Sequence, residues 1–203
     1  MPKIVDHAVR RQELVDACLR VVSRLGLAGT TTREISREAG VSHGIIAHYF
    51  SGKDDVLRAA LQRSYELLAE RIRVRIEGLT GAHALRQALL ESLPVDEASV
   101  TGEQIELAFW SYSLGNPALA DERWRSYSQW RLLLEVLVRD AQTRGELTSR
   151  QDPTLVAEAF IALIDGLGAQ AALYPDRLPP ERQRAIVDST LQAYGMTLDP
   201  DIG

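Results

Sequence analysis

His43, Gly44, Ile45, Ala47 and His48 fall within one short stretch. An imidazole both donates and accepts hydrogen bonds, isoleucine packs on a methyl group, and glycine lets a backbone come close. Together these could read base edges in the major groove of a duplex. Around them Thr31, Thr32, Arg33, Ser42, Tyr49 and Lys53 offer hydroxyl and cationic groups suited to phosphate oxygens, which position a protein without reading sequence. The same stretch spells Gly40-Val41-Ser42-His43-Gly44, the Gly-x-Ser-x-Gly pattern of a hydrolase nucleophile elbow. That elbow needs a strand ahead of its serine, whereas Glu34 to Ala39 has helical character. The four histidines, His7, His43, His48 and His83, lack metal-helix spacing, and there is no His-Glu-x-x-His, cysteine pair or Gly-rich phosphate loop. No catalytic residue, metal or cofactor is expected, and the chain is expected not to be an enzyme.

Short helices must hold these side chains on one surface. Leu14, Ala17, Cys18, Val21, Val22 and Leu25 recur at three and four residues, which predicts a helix over about 10–25 ended by Gly26. Thr31 followed by Glu34 forms a capping box that starts a second helix, stopped at Gly40. Ser42 caps a third helix through Phe50, so the turn Ala39-Gly40-Val41 gives helix-turn-helix spacing. Ile46 and Phe50, one turn apart, would face a small core. That leaves Gly44, Ile45 and His48 opposite, flanked by His43 and Ala47. A long helix follows, with Leu57, Leu61, Tyr65, Leu68, Ile72 and Ile76 on one face, and breaks at Gly78. Five more are predicted over about 81–93, 102–115, 118–144, 153–173 and 180–194. The fold class is therefore all-α with about nine helices.

With 203 residues, 45% hydrophobic and 25% charged, the chain fits one compact unit or a small module joined to a larger one. Residues 1–53 hold eight Lys or Arg against five Asp or Glu, a net of +3, which leaves −8 for the remainder of a chain whose total is −5. A basic end on an acidic body suits an anionic partner met at one end. Cys18, the single cysteine, lies in an apolar stripe and is expected to be an inert core thiol in a reducing, cytoplasmic setting. Met1 to Arg11 lacks the apolar run of a secretory signal, and 160–174 is too short for a membrane span and carries Asp165.

The run from Thr30 to Gly44, ending His48-Tyr49-Phe50 and then Lys53, closely resembles the DNA-binding domain of the tetracycline-repressor (TetR) family. The likeness implies a helix-turn-helix domain over 1–53, a connecting helix over 53–77, and a helical-bundle ligand-binding and dimerisation domain over 78–203. One position departs: many members carry a phosphate-contacting aromatic in the third helix where this chain has Ala47. A closer likeness, to the choline-responsive (BetI-like) repressors, rests on Arg10-Arg11-Gln12, Leu14, Asp16-Ala17, Gly44-Ile45-Ile46-Ala47-His48-Tyr49-Phe50, Leu107-Ala108-Phe109-Trp110 and Ala162-Leu163-Ile164-Asp165-Gly166-Leu167.

Six of twelve aromatics, Phe109, Trp110, Tyr112, Trp124, Tyr127 and Trp130, crowd into a tenth of the chain. With the family likeness, Phe109, Trp110, Tyr127, Trp130, Leu134 and Asp165 become candidates for an effector pocket. Aromatics beside Asp165 or Glu106 would suit a quaternary ammonium, and an apolar or aromatic effector fits equally. Phe160, Leu163, Ile164 and Leu167 on one late helix and Val187 and Leu191 on the next form broad apolar faces, expected at the interface of a homodimer. Gly166 and Gly168 could admit a close neighbour. The expected function is a ligand-responsive regulator that binds a palindromic double-stranded DNA operator as a dimer and is released by a small molecule. The recognition helices of such a dimer must stand about 34 Å apart. The competing expectation is a helical protein-interaction module whose basic end lacks DNA specificity.

Overall fold

The computed structural model describes residues 7–196. The leader expectation turns on Met1 to Arg11, of which 1–6 lie outside the described residues. Among those described there are nine helices: α1 (His7–Gly29), α2 (Thr32–Glu38), α3 (His43–Tyr49), α4 (Lys53–Ile76), α5 (Gly81–Glu91), α6 (Glu97–Ser113), α7 (Pro117–Thr143), α8 (Pro153–Leu173) and α9 (Pro180–Ala193). Extended pairing among the described residues is limited to a single antiparallel bridge, Leu147 with Met196.

Local chemistry sets the boundaries. Gly26 adopts φ 66°, ψ 174°, a conformation open in practice only to glycine, which kinks α1 where the apolar stripe ends. The buried Thr30 hydroxyl then donates to the Gly26 carbonyl at 2.7 Å. Thr31 accepts from the Glu34 N–H at 3.2 Å, half of the expected capping box, while the Glu34 carboxylate pairs with Arg37. Gly40, at φ 67°, ends α2. The start of α6 lies earlier than the 102 predicted, because Asp96 and Ser99 cap each other. The Asp96 carboxylate accepts from the Ser99 N–H at 2.8 Å, and the Ser99 hydroxyl accepts from the Asp96 N–H at 3.0 Å.

Two compact units divide the chain, 1–66 with 104–125, and 67–103 with 126–203. They are packing units, whereas the functional division expected at 53 and 78 follows sequence order; α4, α6 and α7 each contribute to both units. The first unit's core joins Leu14, Cys18, Val21, Ile35, Ile46, Phe50, Leu57 and Leu61 to Ile105, Phe109 and Leu119. The second is built from Leu85, Leu89, Leu134, Val138, Phe160, Ile164, Val187 and Leu191. Within it Arg86 donates to Asp188 at 2.7 and 3.0 Å, tying α5 to α9.

Helix α8 is 21 residues long and its most apolar 18-residue stretch has a mean hydropathy of 1.5, so by length and composition it could cross a membrane. The shorter 160–174 segment of the sequence analysis misses its N-terminal turns. Its residues Val156, Ala157, Phe160, Ile161, Ile164 and Ala171 are buried in the second unit, as in the core helix of a folded bundle. Gly168 is where close approach occurs: an added Cβ would meet the Glu103 carboxylate at 2.6 Å, whereas Gly166 faces open space.

Candidate nucleic-acid interface and effector-sensing residues

The recognition candidate α3 is only two turns long, too short to be stable alone, so its packing must hold it. Ile46 and Phe50 are buried at 2% and 3% exposure and pin it to the first unit's core. His43, Gly44, Ala47 and His48 form the exposed face. Ile45, expected on that face, is instead half-buried against the core beside Ile46, as is Tyr49. At about 100° per residue, a position adjacent to a buried anchor and one turn from Tyr49 falls on the helix flank.

Supporting residues brace this face. Arg20 and Arg24 on α1 donate to Glu38 at the end of α2, at 2.8 and 2.9 Å. The Arg20 and Arg24 hydrogen bonds hold the Glu38 carboxyl below its ordinary value. The Arg11 guanidinium lies 4.8 Å from the Phe50 ring centroid. His7, which sequence patterning missed, places its ring 4.4 Å from Tyr49 and 5.8 Å from His48. It precedes the apolar stripe of α1, so periodicity carries no signal for it.

Among the phosphate candidates, Arg33 is exposed, Thr32 is half-buried, and the Thr31 hydroxyl serves the α2 cap. Ser42 is exposed at the α3 N-cap position without a side-chain capping bond. Lys53 is half-buried; its ammonium donates to the Leu27 carbonyl at 2.9 Å and lies 5.9 Å from the Tyr112 ring. Next to it, Asp54 accepts from the Tyr112 hydroxyl and from the Asn116 side-chain amide, each at 3.1 Å. Asp55 accepts from the Ser51 N–H at 3.1 Å and from Arg58 at 2.7 Å. Burial opposes ionisation of Asp55, yet these bonds hold its carboxyl below the ordinary value. Cys18 is fully buried, and burial pushes its thiol up to about 12 against a smaller opposing pull from Lys53; it is inert at neutral pH.

The aromatic candidates separate by unit. In the first, Phe109 is core at 0% exposure. Trp110 is half-buried, and its indole N–H donates to Glu106 Oε1 at 2.6 Å, an oxygen that also accepts from the Tyr65 hydroxyl at 2.5 Å. Arg123 lies over the Trp110 ring with its guanidinium carbon 4.0 Å from the centroid. Trp124 is 66% exposed. In the second unit Tyr127 and Trp130 are half-buried against the core, Leu134 is fully buried and Asp165 is half-buried on α8.

The dimer candidates face inward in the single chain. Phe160, Val187 and Leu191 are at 0% exposure within the single chain, and Ile164 and Leu167 at 8% and 7%; Leu163 is half-buried. They close the second unit's own core, with Phe160 against Tyr194 at 5.2 Å. The periodicity that identified them marks a buried stripe without saying which chain covers it. On α8 the exposed positions are Leu155, Ala159, Ala162, Gly166, Gln170 and Leu173, spaced by three and four on the other side.

Two short helices joined by a glycine turn, the second polar outside and pinned inside, together with a helical body, make this a DNA-binding regulator of helix-turn-helix type. The strand that a nucleophile elbow requires is not what precedes Ser42, since 32–38 are helical. Residues 14–60 match the description "Bacterial regulatory proteins, tetR family", and 81–195 match "BetI-type transcriptional repressor, C-terminal". The chain is 34% identical over 200 residues to the HTH-type transcriptional regulator BetI of Vibrio vulnificus, covering 95% of this chain and 96% of that protein. It is 31% identical over 189 residues to the HTH-type transcriptional regulator PksA of Bacillus subtilis, covering 92% and 90%. A regulator from Saccharomonospora viridis, solved in complex with choline, superposes with a TM-score of 0.84 at 24% identity, over 92% of this chain and 97% of that one. This chain belongs to the TetR family of transcriptional regulators, with a BetI-type C-terminal region. It is a ligand-responsive DNA-binding regulator and not an enzyme; regulators of this family bind operator DNA as dimers and answer a small-molecule effector.

Proposed function

We propose that this chain is a cytoplasmic repressor whose residues 1–53 read DNA, whose helix over 53–77 connects, and whose residues 78–203 sense ligand and dimerise. His43, Gly44, Ala47 and His48 contact base edges; Arg33, Thr32, Ser42 and Tyr49 contact the phosphates on either side. Ile45 lends a methyl contact from the flank. Lys53 and the Thr31 hydroxyl serve this surface by holding the starts of α4 and α2, since the Lys53 ammonium is engaged by the Leu27 carbonyl and Thr31 by the α2 cap.

The observation that carries the reading is the polar exposed face of α3 held rigidly from behind by Ile46 and Phe50. In a twofold dimer two such faces must meet major grooves about 34 Å apart. The dimer contact we assign is the exposed stripe of α8, Leu155, Ala159, Ala162 and Gly166, in place of the buried set. The effector is a small organic cation of the choline kind, favoured by aromatic rings beside a half-buried carboxylate, Trp110 with Glu106. It acts by binding the DNA-incompetent arrangement more tightly, by about 1–3 kcal/mol for a typical coupling.

Selecting bound fragments from a random duplex library tests this. The expected result is one palindrome bound with an affinity that falls steeply as salt rises. Equal affinity for the selected and a scrambled duplex would overturn it. Thermal-shift titration with choline then tests the effector class.

A further inference from the structure

Three groups from three helices converge on one carboxylate oxygen. Glu106 Oε1 on α6 accepts from Tyr65 on α4 at 2.5 Å and from Trp110 at 2.6 Å, and Arg123 Nε on α7 stands 3.6 Å away. The side chains of Glu106 and Arg123 are 18% and 30% exposed, so this charge pair is largely withdrawn from water. A carboxylate so placed needs a cation, and the Trp110 face beside it attracts one as well. Arg123 satisfies both demands: its guanidinium carbon lies 4.0 Å from the Trp110 centroid.

The geometry points to Arg123 as a resident cation that fills a site for a quaternary ammonium ligand, which enters by displacing it. An arginine head can return to water on its flexible stem. A quaternary ammonium has no N–H to donate and so gives up no N–H bond to water when it moves onto the aromatic face. Arg123 therefore sets the threshold of the response, keeping the site closed to cations at low concentration. The exchange also takes place against Tyr65 on α4, the helix separated from α3 by three residues. This rests on the proposed cationic effector and deepens it by naming an internal competitor.

The test is calorimetric titration of the full chain with tetramethylammonium chloride against a sodium chloride control of equal ionic strength. Arg123→Met, which keeps the packed stem and removes the charge, is expected to bind tetramethylammonium about tenfold more tightly than the unsubstituted chain. Arg123→Lys, which keeps a charge but loses the flat stack, should gain about threefold. Adding Trp110→Leu to Arg123→Met should abolish the gain. Equal or weaker binding by Arg123→Met, or a gain that survives Trp110→Leu, would overturn the inference. If Arg123→Met lacks the helical circular dichroism of the parent, Arg123→Lys decides alone, and no gain there overturns it. Duplex binding by the unsubstituted chain is measured separately. Its failure would remove the proposed DNA contacts while the ranking of cation affinities still stood; its success with a flat ranking would remove only the competitor.

Discussion

The Lys53 ammonium donates to the carbonyl of Leu27 at 2.9 Å, so the first residue of α4 is fastened to the chain just beyond the kink of α1. A charged donor held by one carbonyl is a positioning device for α3, which lies between the two. Lys53→Met should lower stability by about 1.5–3 kcal/mol in urea denaturation. It should leave the slope of log affinity against log salt nearly unchanged. A slope smaller by about 0.9 would instead make Lys53 a phosphate contact.

His48 is exposed on α3 and its ring lies 5.0 Å from Tyr49. His48→Ala should relax selectivity at one operator position by about 1–3 kcal/mol with little change in melting temperature. His7→Ala should weaken binding to all duplexes alike, because His7 braces Tyr49 from outside the reading face. Competition with operators substituted at each position separates these two outcomes.

Phe160 and Gly166 lie on opposite sides of α8 and make contrary predictions. Phe160→Ala should cost about 3–5 kcal/mol of stability, since the ring is fully buried. Gly166→Arg should cost little within the chain, because a Cβ there meets nothing within 4 Å, yet give a folded monomer without operator binding. Sedimentation equilibrium of the two variants decides which side of α8 meets the second copy.

Acid should loosen the second unit at a defined place. Asp140 accepts from the Gly81 N–H at 2.7 Å and pairs with Arg144, and the Gly81 bond, more than the arginine, holds its carboxyl below the ordinary 3.8. A carboxyl lowered by folding contributes stability in full above that ordinary value and loses it as pH falls through the folded one. Asp140→Asn should therefore flatten the fall in stability as pH drops below about 4 relative to the parent, read by denaturant midpoints at successive acid pH values.

Helix positions were legible because apolar spacing and punctuation agree: Gly26, Gly40 and the Pro153 start stand where expected. The reading face was nearly so, Ile45 apart, because a two-turn helix has two anchors and their phase fixes the remainder. What was not legible depends on partners distant in sequence. Nothing in the patterning of α7 connects Arg123 with Trp110, or His7 with Tyr49. Nor could it tell that Val187 and Leu191 would be covered by the chain itself, since a buried stripe looks the same whichever molecule buries it.

The first unit draws Ile105, Phe109 and Leu119 into the core that holds Ile35, Ile46 and Phe50. A fragment cut after 66 would expose the apolar surface that these three cover. Grafting this reading head onto another sensor body thus requires carrying the hairpin of α6 and α7 with it. During synthesis, the DNA-facing end must wait for about three fifths of the polypeptide to leave the ribosome before its interior can close.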